Sequence, residues 1–255
     1  MADWMDLEHE LDAWAGAGQA ATLWWRDDDA KSVTPELDKL LELRRQVGVP
    51  LALAVIPAGA DDALARLLAP LAEITVLQHG YAHKNHAPEG EKKSELGADR
   101  PLQQALGELI AGRDLLEALF SRRPLPVLVP PWNRIDAALV PELAGRGYTG
   151  LSSWGPRAAP LIGGLAQVNS HVDIIDWPGS RGFVGQDVAI GQVIDHLKAR
   201  RAGTADAAEP TGLLTHHLAH DPATWSFLAD FLARTKAHPA ARWLSALELF
   251  PRPAA

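Results

Sequence analysis

The chain contains no cysteine, which excludes disulfides and thiolate metal sites. Any transition-metal centre must therefore be assembled from histidines and carboxylates. An excess of positive charge is missing too, since 24 lysines and arginines stand against 32 acidic residues for a formal net charge of -8. General nucleic-acid binders need a basic surface that displaces phosphate counterions, so no nucleic-acid partner is expected, and an anionic polymer is a poor candidate as well. No segment reaches the ~20 apolar residues that cross a bilayer. Residues 1–10 are acidic and lack both a basic start and an apolar core, which does not read as a secretion signal and points to the cytoplasm. Internal repeats and low-complexity tracts are absent.

What is present suits a folded chain. At 255 residues, 47% apolar and 22% charged, the composition argues against disorder and favours one domain spanning 1–255. Short β-prone runs alternate with longer amphipathic ones, as they do where parallel strands carry helices outside. Strands are expected at 22–26, 51–56, 75–78, 126–129, 150–153, 172–177, 212–216 and 241–244. Helices are expected at 35–47, 61–73, 101–120, 137–146, 187–201 and 222–236. Within the second of these, Leu64, Leu67, Leu68 and Leu71 recur at i, i+3, i+4 and i+7 and so share one face. Residues 5–14 also have helical spacing and are expected to pack across one end of an irregular (β/α) barrel of seven or eight parallel strands.

Five polar clusters fall at the C-terminal ends of expected strands: Asp27-Asp28-Asp29, His79 to His83, Pro130 to Arg134, Asp176-Trp177 and His216-His217. In a (β/α) barrel those ends converge on one face, where active sites lie. Three consecutive aspartates taken alone suit a solvated turn or a helix N-cap. Here they follow Leu-Trp-Trp-Arg, and carboxylates crowded at the mouth of a buried strand need a cation to offset their repulsion. A metal ion is the economical answer, with Arg26 as a helper. His79 and His83 have a spacing that zinc sites use, and with one carboxylate they leave coordination positions open for water and substrate. Glu95 is a candidate to orient a ligand or to cap a helix. His171, His196 and His238, with no partner nearby in sequence, read as surface or packing residues.

In this order the clusters resemble the motifs of the polysaccharide deacetylases, also called the NodB-homology or carbohydrate esterase family four, from Leu23 to about His217. The resemblance implies an irregular (β/α) barrel of that type. Arg26-Asp27-Asp28-Asp29-Ala30 is similar to Thr-Phe-Asp-Asp-Gly, which implies Asp28 as general base and Asp29 as metal ligand. His79 to His83 resembles His-Thr/Ser-x-x-His, which implies two more ligands. Val129-Pro130-Pro131-Trp132 resembles Arg-Pro-Pro-Tyr, which implies that the Trp132 amide helps bind an oxyanion and its indole walls the pocket. The motif's arginine, which interacts with the base aspartate, is replaced by Val129. Arg134 is expected to reach back and supply that contact, with Arg26 as the alternative. Asp173-Ile174-Ile175-Asp176-Trp177 resembles the fourth motif, with Asp176 chosen as the supporting carboxylate. Leu213 to His217 resembles the fifth, with His216 as general acid and His217 in reserve.

The resemblance implies a metal-dependent hydrolase that removes an acetyl or other acyl group from an N-acylated carbohydrate. The alternatives are an amidohydrolase of the same barrel acting on a small non-sugar amide, and an inactive glycan-binding barrel. Zinc suits the ligands, and Co²⁺, Ni²⁺ or Mn²⁺ remain open because affinity order alone does not select the metal used. The expected partner is a small molecule or an oligosaccharide.

Overall fold

The computed structural model describes residues 1–120 and 124–250. Residues 121–123 and 251–255 of the expected 1–255 domain lie outside the described residues.

The longest strand, β1 (Ala21–Ala30), is buried along most of its length, as a strand covered on both faces should be. Its side chains alternate. Trp24 joins Ala52, Ala54, Leu77, Val127 and Val129 inside the barrel, whereas Leu23 and Trp25 pack outward beneath the helices. Parallel partners of β1 are β2 (Leu51–Val55) and β9 (Thr211–Thr215), with β10 (Ala241–Trp243) beside its first residues. Beyond β2 come β3 (Ile74–His79), β4 (Val127–Val129) and β5 (Gly150–Leu151), all parallel.

The stretch from 161 to 173 curls the sheet round. A tight antiparallel hairpin, β6 (Leu161–Ile162) and β7 (Leu165–Gln167), turns on Gly163 and Gly164, both at positive φ. That pair of conformations is what a two-residue hairpin needs, and glycine adopts it at little steric cost. β7 pairs with β5, a bridge joins Trp154 to Ser170, and β8 (Val172–Asp173) then pairs with β9. One extended ribbon thus links the two sides of the sheet into a barrel.

All eight expected strands are present among the described residues. The hairpin was not anticipated, because strands of two and three residues carry no periodicity. With it, nine strands make parallel pairings and β6 is antiparallel.

The helices start and stop where local chemistry directs. In α2 (Pro35–Val47) the Thr34 hydroxyl accepts from the Leu37 amide, Pro35 takes the first turn, and left-handed Gly48 closes the end. Asp221 caps α7 (Pro222–Ala237) in the same way. α3 (Asp62–Leu68) stops short of the expected 73 because Pro70 has no amide hydrogen with which to continue it. α4 (Leu102–Leu119), α5 (Val140–Ala144), α6 (Gln186–Arg201) and the short α8 (Ala246–Leu249) complete the set after α1 (Trp4–Gly16). Rather than crossing a barrel end, α1 lies on the outer helices: Glu10 pairs with Arg201 of α6, and Trp4 stacks on Phe227 of α7 at 5.5 Å. Among the described residues no helix is long and apolar enough to cross a membrane.

Candidate active site

β1 runs through all three aspartates, and alternation alone would send Asp27 and Asp29 outward and Asp28 inward. Asp27 obeys. Its carboxylate accepts from the Thr215 hydroxyl at 2.6 Å and the His217 amide at 3.1 Å, and it pairs with the His217 ring on the outer side of the sheet. Burial pushes the Asp27 carboxyl up, but the His217 charge and hydrogen bond outweigh it and hold the carboxyl low. Asp29 breaks the alternation. The register with β2 shifts between Asp27 and Ala30, and Asp29 has φ +73°, so this bulge swings its side chain to the same side as Asp28.

Asp29 Oδ1 then lies 3.2 Å from both His79 Nε2 and His83 Nε2. His79 ends β3, where its Nδ1 donates to the Val129 carbonyl at 3.0 Å and leaves Nε2 to present a lone pair. The loop that returns His83 is held by Glu95, fully buried, whose carboxylate accepts from the Tyr81 amide at 3.0 Å and the Ala82 amide at 2.8 Å. Gly80 makes that loop possible. It has φ +56°, and a Cβ there would meet the Glu95 carboxylate at 2.0 Å and the Pro131 ring at 2.5 Å.

These three side chains fit a metal ion. Asp29 Oδ1 is buried and has no hydrogen-bond partner, although two imidazole nitrogens face it. Lone pairs pointing at one another across 3.2 Å repel unless a cation lies between them. Ligand bonds of about 2.0–2.1 Å in tetrahedral array place donor atoms roughly 3.3 Å apart, close to the spacing found. Burial pushes the Asp29 carboxyl up, yet the nearby His79, His216 and His83 rings hold it below the usual carboxylate range.

Asp28 and the arginine question resolve together. The Arg26 guanidinium is buried and grips Asp28 with two bonds of 2.9 and 3.0 Å, while it also donates to Ser152 Oγ at 2.7 Å and Asn133 Oδ1 at 2.8 Å. Arg134 does not make this contact. Its guanidinium turns outward to the Lys93 carbonyl at 2.7 Å, because Trp132 and Asn133 both have positive φ and the turn carries Arg134 away from β1. The alternative, Arg26, therefore replaces the expected Arg134. The same turn uses the Asn133 and Arg134 amides, which donate to Pro130 O and Pro131 O, and packs the Trp132 indole 4.3 Å from the His83 ring.

Two further assignments are corrected or separated. Asp176, the expected supporting carboxylate, instead closes its own loop by accepting from the Gly179 and Ser180 amides. Asp173, three residues earlier on β8, faces the cavity instead. It accepts from the Trp177 indole N–H at 2.8 Å and the Ile175 amide at 3.0 Å, and burial pushes its carboxyl up. His216 lines the cavity with its ring 4.8 Å from Trp177, whereas His217 is occupied by Asp27. The cavity holds about 390 Å³ and is lined by Asp28, Asp29, His79, His83, Asp173 and His216, with Trp132, Trp177 and Arg134 among its other walls. All five non-glycine residues of positive φ among the described residues, Asp29, His83, Trp132, Asn133 and Arg181, line it. Backbone strain of about 1–3 kcal/mol per residue collects where function needs an unusual side-chain direction.

A second group escaped the sequence reading. His171 and His196 are buried and stacked at 3.5 Å, with His171 Nε2 3.4 Å from Glu209 Oε2. The residues come from before β8, from α6 and from before β9, so only their separate apolar surroundings were visible in sequence.

No family model matches the chain, and no curated protein matches it. Solved structures do. A Mycobacterium smegmatis protein assigned as a polysaccharide deacetylase superposes with a TM-score of 0.62 at 16% identity, over 92% of this chain and 94% of that one. The peptidoglycan deacetylase PdaC from Bacillus subtilis gives 0.55 at 13%, over 91% and 90%. A family 4 acetyl xylan esterase from Clostridium thermocellum, in complex with a cobalt ion, gives 0.51 at 11%, over 89% of each chain. The chain thus has the fold of the polysaccharide deacetylases and family 4 carbohydrate esterases.

Proposed function

We propose that the chain is a single-domain, metal-dependent deacylase that hydrolyses an N-acyl group, with Asp29, His79 and His83 holding the ion. The observation that carries the reading is the orphaned Asp29 oxygen between two imidazoles, in a cavity shared with Asp28 and His216. A divalent ion bound there supplies Lewis-acid polarisation of the acyl carbonyl. Asp28 takes the proton of the attacking water, and Arg26 keeps its carboxylate in place. The Trp132 amide takes part in neither of the turn bonds made by its successors and is assigned to the developing oxyanion. His216, as imidazolium, hands a proton to the departing nitrogen, with Asp173 and Trp177 beside it.

Zinc is the proposed ion; the peptidoglycan deacetylase among the neighbours supports an N-acetylated sugar as substrate, and the acetyl xylan esterase supports an acetylated carbohydrate more broadly. The inactive-barrel alternative drew its support from Val129 in place of the motif arginine. Arg26 makes a guanidinium contact to Asp28, which supports the catalytic reading. The test is acetate and amine release from N-acetyl sugars and small amides, with and without added Zn²⁺. Release that needs the ion supports the proposal; a silent panel with the ion bound defeats it.

A further inference from the structure

Around the mouth of the cavity stand three exposed cations, Lys93, Arg134 and Arg181, each from a different loop. None has a carboxylate within ion-pair distance among the described residues; the Arg134 guanidinium donates to the Lys93 carbonyl instead. Of the cavity's own acids, Asp28 is paired with Arg26 and Asp173 accepts from the Trp177 indole, while the Asp29 oxygen awaits the proposed cation. The rim that an entering molecule meets first is therefore positive, on a chain whose net charge is -8.

Arg181 adds a second, independent sign. Its φ of +57° is one that glycine adopts at little steric cost and that a long side chain occupies under strain. The loop enforces it. Asp176 accepts from the Gly179 amide at 3.2 Å and the Ser180 amide at 2.9 Å, and the Arg181 amide donates back to the Asp176 carbonyl at 2.8 Å. This closed loop holds Arg181 at the cavity wall and makes Asp176 a positioning residue.

We propose that the substrate is a small N-acylated molecule carrying an anionic group, a phosphate ester or a carboxylate, which Arg181, Arg134 and Lys93 bind while the acyl group reaches Asp28 and the metal ligands. This rests on the deacylase reading above. The negative surface elsewhere repels long anionic polymers, so the rim selects a compact anion.

The test compares kcat/KM of the zinc-loaded protein on N-acetylglucosamine, its 6-phosphate and N-acetylmuramic acid. At least one anionic member should exceed the neutral one by about tenfold, the worth of one hydrogen bond to a charged group. That preference should fade toward about 1 M salt, where screening acts within about 3 Å. The phosphate and carboxylate arms separate the two sources of charge. Arg181→Met should lower the anionic-to-neutral ratio about tenfold at unchanged metal content, Arg181→Lys should restore much of it, and Asp176→Asn should reduce it. A ratio near one, or one that survives both Arg181→Met and Arg134→Met, overturns the proposal. If no sugar is hydrolysed, the deacylase reading is at fault and calorimetry with inorganic phosphate decides the rim separately. Binding weakened about tenfold in Arg181→Met sustains it, while absent binding, or binding through the ion alone and indifferent to Arg181, refutes it.

Discussion

Two groups of two histidines and a carboxylate are made of the same parts and lie at opposite ends of the strands. Asp29, His79 and His83 gather at the C-terminal ends of β1 and β3, and His171, His196 and Glu209 lie by the N-terminal ends of β8 and β9. The second group is satisfied at its carboxylate and at both Nδ1 atoms, although His171 Nε2 and His196 Nε2 have no hydrogen-bond partner, whereas in the first the carboxylate oxygen itself is left without one. Glu209 accepts from the Arg157 amide at 2.8 Å and the Asn169 amide at 3.0 Å, and His171 Nδ1 accepts from the Gly212 amide. His171 must then carry its proton on Nε2, toward Glu209, and its ring lies parallel to that of His196 at an interplanar angle of 15°. Parallel rings send their in-plane lone pairs side by side and not to one point. Composition and proximity do not make a metal site; uncompensated lone pairs that converge do.

The sharpest break between the groups is metal content. Asp29→Asn, His79→Ala and His83→Ala should each lose the ion and turnover by more than the roughly 10–100-fold that loss of an outer partner costs. Elemental analysis of His196→Ala and Glu209→Gln should match the parent protein. Metal lost from that second pair, or retained in the first three, would exchange the roles of the two groups.

Next in size is Asp28→Asn, which should keep the ion while turnover falls about 10²–10⁴-fold. If it loses metal while Asp29→Asn keeps it, base and ligand have been assigned the wrong way round.

Charge compensation also differs in kind, since Glu209 relies on backbone amides and Asp28 on the side chain of Arg26. Arg26→Met leaves a buried carboxylate unpaired and should cost about 3–5 kcal/mol of stability. Arg134→Met, at an exposed position, should stay within about 0.5 kcal/mol, and equal losses in urea unfolding would contradict the assignment of Arg26.

The last contrast is in pH dependence. Burial, with help from the His171 and Arg200 charges, lowers the His196 pKa from 6.5 to about 3. The unfolded chain takes up this proton below pH 6.5 and the folded chain does not. The contribution of His196 to stability is therefore intact above pH 6.5 and drains away as pH falls toward 3. His220, lowered to about 4 by burial, adds to the same window. His196→Asn should flatten the acid slope of the urea midpoint without abolishing it, and an unchanged slope would show that His196 is not held neutral.

What the sequence by itself determined was local: short β-prone runs placed the eight main strands, caps and prolines set the starts of α2, α3 and α7, and five polar clusters marked the strand ends. With no cysteine it left only histidines and carboxylates to hold a metal, and the motif resemblance pointed to Asp29, His79 and His83 as the expected ligands. Tertiary structure alone decided which way each side chain turned. A bulge put Asp29 beside Asp28, positive φ in the Pro-Pro-Trp-Asn turn sent Arg134 away and left Arg26 on Asp28, and loop closure took Asp176 and put Asp173 in the cavity. Pairing with Asp27 removed His217 and left His216 facing Trp177. His171, His196 and Glu209 met only because α6 packs over β8 and β9. Periodicity reports the average direction of a strand's side chains. A bulge, a left-handed residue or a contact across more than a hundred positions is settled by neighbours that local sequence does not contain.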